Sequence, residues 1–115
     1  MPDHPLDLER FAAGADKACA LLKVLVNRDR LFLLCQLSHQ ERNVGELEQL
    51  TGIRQPTLSQ QLTVLRNEQL VSTRRDGKQI FYSLSSDQAK AVMDVLFEQF
   101  CSPTVETQDN AIAQP

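Results

Sequence analysis

Two groups of residues in this chain have types that could do chemistry. One is the run of polar side chains in RQPTLSQQLTVLR, residues 54–66; the other is three cysteines, Cys19, Cys35 and Cys101. In the first group the chemistry is hydrogen bonding. Leu58, Leu62 and Leu65 fall at i, i+4 and i+7, one stripe of a helix. The opposite face carries Pro56, Ser59, Gln60 and Thr63, with Gln55, Thr57 and Gln61 beside it. Soluble helices usually cover that face with Lys and Glu. Here charge stands only at the ends, on Arg54 and Arg66. Amides and hydroxyls suit base edges in a major groove, because Gln can pair bidentately with adenine and Ser or Thr can serve several bases.

The second group offers thiols. Three scattered cysteines are too few for a secreted disulfide framework, and they lack the compact spacing of a metal site. The two histidines, His4 and His39, sit in the N-terminal stretch and at the end of a helix. Cys35 and Cys101 adjoin apolar stripes, so as residues they read as core packing, and so does Cys19. The chain has no Gly-rich phosphate loop, no nucleophile–base pair and no paired carboxylates in a cleft, which argues against an enzyme and against a cofactor.

The elements that must position these groups follow from periodicity. Apolar residues 8, 11, 12, 15, 18, 19, 22, 25 and 26 trace a first helix. Asn27 caps a second, about 28–39, with Leu31, Leu34 and Cys35 turned inward. Asn43 and Glu46 form a capping box for a short third helix that buries Val44, Leu47 and Leu50 and stops at Gly52. Pro56 suits the first position of the fourth helix, with Gln55 at its cap. Leu70 to Thr73 reads extended, Asp76-Gly77 is a hairpin turn, and Ile80, Tyr82 and Leu84 alternate as a strand. SSDQ, residues 85–88, opens a last helix through Ser85 and Gln88. That helix buries Ala89, Val92, Met93, Leu96, Phe97 and Phe100 and ends at Pro103.

The fold class is therefore mainly α with a small β-hairpin: a winged helix-turn-helix of order α-α-α-α-β-β-α, with the hairpin as wing. At 115 residues, with 42% hydrophobic and 23% charged residues, the chain makes one domain. Its boundaries read as 6–103, between a disordered stretch 1–5 and a flexible tail 104–115. The net charge of −3 masks an asymmetry. Residues 54–78 hold five cations against Glu68 and Asp76, a local +3 that leaves −6 elsewhere. Local field is what attracts phosphate. No apolar run is long enough for a membrane span and no secretory leader is visible, so the expected location is the cytoplasm.

Residues 44–84, VGELEQLTGIRQPTLSQQLTVLRNEQLVSTRRDGKQIFYSL, resemble the winged-helix core of the ArsR/SmtB family of bacterial repressors, and NRDRLFLLCQL resembles its second helix. The resemblance spans about residues 18–101. It implies a homodimer built from the first and last helices that reads partly palindromic double-stranded operator DNA. It implies base contacts from Gln55, Thr57, Ser59, Gln60 and Thr63, and contacts to the backbone or minor groove from Arg74, Arg75, Lys78 and Gln79. A winged helix that binds protein instead of DNA is the rival reading.

The family's metal ligands do not carry over. A cysteine pair would be needed near Val44–Leu47, where the chain has VGEL, and Asp/His pairs on the last helix, which has Asp87 and Asp94 but no His. No metal site is expected. LLCQL and QFCSP, holding Cys35 and Cys101, are similar instead to the two positions that define the BigR/SqrR-type sulfur sensors within the family and that HlyU-like regulators share. That similarity implies a redox switch in which reactive sulfur species bridge Cys35 and Cys101 and the operator is released. Peroxide as the signal, or cysteines that only pack, are the alternatives.

Overall fold

The computed structural model describes residues 5–101, with side chains placed from Leu8 onward; His4, Pro103 and the two terminal stretches lie outside the described residues. Five helices and three strands follow in the order α1 (Pro5–Leu25), α2 (Arg28–Leu37), β1 (Arg42–Asn43), α3 (Val44–Thr51), α4 (Thr57–Asn67), β2 (Val71–Asp76), β3 (Gln79–Leu84) and α5 (Asp87–Cys101). The first helix starts at Pro5, one residue before the boundary read from the sequence.

Local signals set most of the joints. The Asn27 side chain accepts from the Arg30 amide at 3.0 Å and starts α2. Asn43 and Glu46 complete the expected box: Asn43 Oδ1 accepts from the Glu46 amide at 2.8 Å, and Glu46 Oε1 accepts from the Asn43 amide at 2.9 Å. Gly52 ends α3 with φ 78°, the left-handed conformation that a Cβ disfavours, and so makes the tight turn of the helix-turn-helix.

Three joints differ from the sequence reading. The α4 helix starts at Thr57 rather than Pro56, and Gln55 caps it from outside, its Oε1 accepting from the Ser59 amide at 3.1 Å and the Ser59 hydroxyl at 2.7 Å. The hairpin loop is Gly77-Lys78, because Asp76 pairs with Gln79; Gly77 alone takes positive φ, 66°, as a Gly-first hairpin turn requires. The α5 cap is Ser86, whose hydroxyl accepts from the Ala89 amide at 3.1 Å. Ser85 instead turns back, and the amides of Ser85 and Ser86 both donate to the Leu70 carbonyl, at 2.9 and 3.3 Å.

The sheet also has a third strand, which the sequence reading lacks. The two residues of β1 pair antiparallel with β3, Arg42 opposite Tyr82 and Asn43 opposite Phe81, giving the sheet order β1-β3-β2. Two residues are too short for alternation to show in a sequence.

The core lies where α2, α3 and α4 meet the base of the hairpin. Leu33, Leu34, Leu47, Leu58, Leu62 and Leu65 are sealed from solvent, and Val24, Leu25, Leu37, Ile53, Leu70, Val71, Ala89 and Met93 complete it. The stripe on α4 thus does face inward. Leu50, by contrast, is exposed although its spacing places it inside, and so are Phe97 and Phe100 on α5. Most of the α1 stripe is open too: Leu8, Phe11 and Leu22 are exposed, Phe11 at 56%, and so is Val26 just beyond the helix.

Candidate functional site

The outer face of α4 presents Ser59, Gln60 and Thr63 to solvent, with Gln55 exposed just ahead of the helix and Thr57 half-buried at its first turn. Ser59, Gln60 and Thr63 therefore share one face of α4, with Gln55 just ahead of the helix and Thr57 on the flank of its first turn. Three of the five are already linked by hydrogen bonds. Gln55 holds Ser59, and the Thr63 hydroxyl donates to the Ser59 carbonyl at 2.8 Å. The Gln55 side-chain NH2 and the acceptor sides of both hydroxyls remain for a ligand.

The wing divides its polar residues into two kinds. Arg75 and Lys78 stand exposed on β2 and the hairpin loop. Arg74 is engaged. Its Nε donates to both carboxylate oxygens of Glu41, at 2.9 and 3.0 Å, with a further ion pair through Nη2, and its guanidinium lies 4.8 Å from the centre of the Phe81 ring. That hydrogen-bonded pairing holds the Glu41 carboxyl below its usual range and pushes Arg74 up. Gln79 is engaged likewise, its Oε1 accepting from Asn43 Nδ2 at 3.2 Å. The sequence could not show either contact, since both join residues more than thirty positions apart.

Cys35 and Cys101 come together. Both line an apolar cavity of about 360 Å³ between α2 and α5, with Leu31, Phe32, Met93, Leu96, Phe97 and Phe100. All three cysteines are free thiols. Cys35 is half-buried, and Cys101 is exposed at the end of α5. Burial pushes the Cys35 thiol above its ordinary range, and a charge on neighbouring Cys101 pushes it the same way. Cys19 is exposed on α1 rather than packed inside the chain. Among the described residues, no group of three or more His, Cys, Asp and Glu comes together in a way that could hold a metal ion. Among them also, no helix is long and apolar enough to cross a membrane.

A short helix, a Gly turn, a second helix faced with amides and hydroxyls, and a cationic hairpin define a winged helix-turn-helix regulator. The family model described as "Bacterial regulatory protein, arsR family" matches residues 27–73. The chain is 51% identical over 106 residues to the biofilm growth-associated repressor of Agrobacterium fabrum, covering 88% of this chain and 91% of that protein. Its fold is similar to the crystal structure of the transcriptional repressor BigR from Xylella fastidiosa, with a TM-score of 0.77, 48% identity, and coverage of 82% and 96% of the two chains. It is similar also to reduced HlyU from Vibrio cholerae, with a TM-score of 0.78, 38% identity, and coverage of 82% and 99%. The chain belongs to the ArsR family of bacterial regulatory proteins. It is a transcriptional regulator, and its relatives are regulators rather than enzymes.

Proposed function

We propose that this chain works as a homodimeric repressor in the cytoplasm, holding operator DNA until reactive sulfur species bridge Cys35 and Cys101. The observation that carries this reading is the shared cavity: two thiols far apart in sequence face one apolar space between α2 and α5. A cytosol keeps ordinary dithiols reduced, so a pair placed there is suited to transient bridging.

The chemistry starts at the exposed thiol. The Cys101 thiolate attacks the outer sulfur of a persulfide, RSSH, and takes that sulfur while RSH leaves. Cys35 then attacks the Cys101 sulfur atom of the new Cys101 persulfide and expels hydrogen sulfide. In sum, two thiols and one RSSH give a disulfide, one RSH and one hydrogen sulfide; each additional RSSH inserts one sulfur atom and releases one more RSH. The second step needs the Cys35 thiolate, whose formation burial opposes.

DNA would be read by Gln55, Thr57, Ser59, Gln60 and Thr63 of the α4 region, with Arg75 and Lys78 on phosphates. Arg74 and Gln79 would shape the wing through Glu41 and Asn43. The exposed apolar faces of α1 and α5 fit a second copy of the chain. A bridge tying α5 to α2 would then alter the spacing of two recognition helices. Since the DNA turn fixes half-site spacing, a coupling of about 1–3 kcal/mol is enough for release.

The test is DNA binding by wild type, Cys35→Ser and Cys101→Ser before and after persulfide treatment. Wild type should lose its operator and both variants should keep it. A variant that still releases DNA like wild type would show that the two thiols are not the switch. Release by peroxide equal to that by persulfide would replace the sulfur-specific reading with general thiol oxidation.

A further inference from the structure

Arg30 occupies a position that neither the DNA contacts nor the thiol pair explains. It lies in the first turn of α2, half-buried. Its Nε donates to the Val24 carbonyl at 2.6 Å, and its Nη1 donates to Gln61 Oε1 at 2.9 Å. Val24 is in the last turn of α1, where carbonyls have no partner within their own helix and the helix end carries partial negative charge. Gln61 lies on α4, between the sealed stripe of Leu58, Leu62 and Leu65 and the solvent. One guanidinium thus spans three helices and joins the end of α1 to the flank of α4.

We propose that Arg30 is a positioning residue for sequence reading. It sets the recognition helix relative to α1 without touching DNA, and Gln61 is its receiver rather than a base contact. The inference rests on the reading of α4 as the recognition helix and of α1 as part of the dimer contact. A guanidinium suits the task because its donors are fixed in one plane, so two acceptors held at once fix an angle as well as a distance. A Lys at this position has its three donors on one freely rotating nitrogen, so it cannot fix the angle between two acceptors. With the strut gone, α1 and α4 would remain joined through core packing alone. Each half of a dimer would then present its α4 over a wider range of angles, and an operator that demands one spacing would be held less tightly.

The experiment uses the full-length chain and a duplex selected by the wild-type protein from random sequence. Arg30→Met keeps the aliphatic stem and removes every donor; Gln61→Met removes the acceptor on α4. Each should lower affinity about tenfold, within the range usual for coupled elements, and the double variant should lose no more than either single one, because both break the same link. The dependence of log affinity on log salt should keep its wild-type slope, since no phosphate contact is lost. Discrimination against a duplex with one base pair inserted between half-sites should weaken. Sedimentation and circular dichroism would establish that each variant is a folded dimer; if Arg30→Met fails that check, Gln61→Met and Arg30→Lys decide the matter, both with the same expected loss. Wild-type affinity in these variants would overturn the strut. A slope shallower by about one in Arg30→Met, with Gln61→Met unaffected, would make Arg30 a phosphate contact instead. Failure of the wild-type chain to select any duplex would overturn the DNA reading itself, an outcome distinct from either of these.

Discussion

The helix-turn-helix and the α1–α5 pair treat their apolar residues in opposite ways. In α2, α3 and α4, Leu33, Leu34, Leu47, Leu58, Leu62 and Leu65 meet one another and are shut from water. In α1 and α5, Phe11, Leu22, Val95, Phe97 and Phe100 follow helical spacing just as well and remain exposed, Phe100 at 75%. The two helices bury little: Val24 and Leu25 on α1, Ala89 and Met93 on α5, with Leu21, Val92 and Leu96 half-buried beside them. The helix-turn-helix core is thus closed within one chain, while much of the apolar surface of α1 and α5 is left open. Periodicity shows that a face must be covered; it does not show by what.

The sharpest way to test that contrast is to cut equivalent apolar mass from each region. Leu62→Ala should cost about 2–5 kcal/mol of folding stability at any protein concentration, as a cavity in a sealed core does. Phe11→Ala should leave the fold largely intact at low concentration and weaken self-association by about 2 kcal/mol, the cost of losing an aromatic anchor. Denaturant melts for the first and sedimentation for the second would separate the two. Equal concentration dependence in both variants would erase the distinction.

Within the helix-turn-helix and wing the proposed contrast narrows to base against backbone. Gln60→Ala should cost about 1–3 kcal/mol on the preferred duplex and relax preference at one position, whereas Arg75→Ala should weaken all sequences evenly. Binding measured on a set of single-position variants of the duplex resolves them. The smallest effect is expected at Glu41→Gln, which removes the charge that holds Arg74 while leaving one acceptor. Affinity should rise slightly and the salt slope should steepen, by about one if Arg74 then meets a phosphate. Because Arg74 holds the Glu41 carboxyl below its usual range, the native pairing is present above the ordinary carboxylate pKa and is lost as pH falls through the lowered one. A salt slope unchanged in Glu41→Gln would mean that Arg74 serves the wing alone.

Residues that act on near neighbours were legible from the sequence. Asn27, the Asn43–Glu46 box and Gly52 act within three or four positions, and each does in the structure what its type requires. Where the sequence offers two adjacent candidates the reading can slip by one, as with Ser85 and Ser86, because only the distant Leu70 carbonyl separates their tasks. Contacts between distant positions left no trace: Arg30 with Gln61, Arg74 with Glu41, and the pairing of β1 with β3 depend on which elements pack together. The two thiols show both sides. Their helices could be read from spacing, but their shared cavity required the arrangement of α2 against α5.

The short strand β1 has a consequence for engineering. It pairs with Phe81 and Tyr82 on one edge of β3 while β2 takes the whole of the other, so the register of β3 is held from both sides at its centre. A single residue added within either long strand would slip that register and turn inward side chains outward. Residues added between Gly77 and Lys78 would lengthen a loop whose closure becomes only slowly more costly with length, about 0.6 kcal/mol for each doubling. The wing tip is therefore the point at which a longer or differently charged finger could be grafted, extending the reach of the protein along DNA while α4 stays where it is.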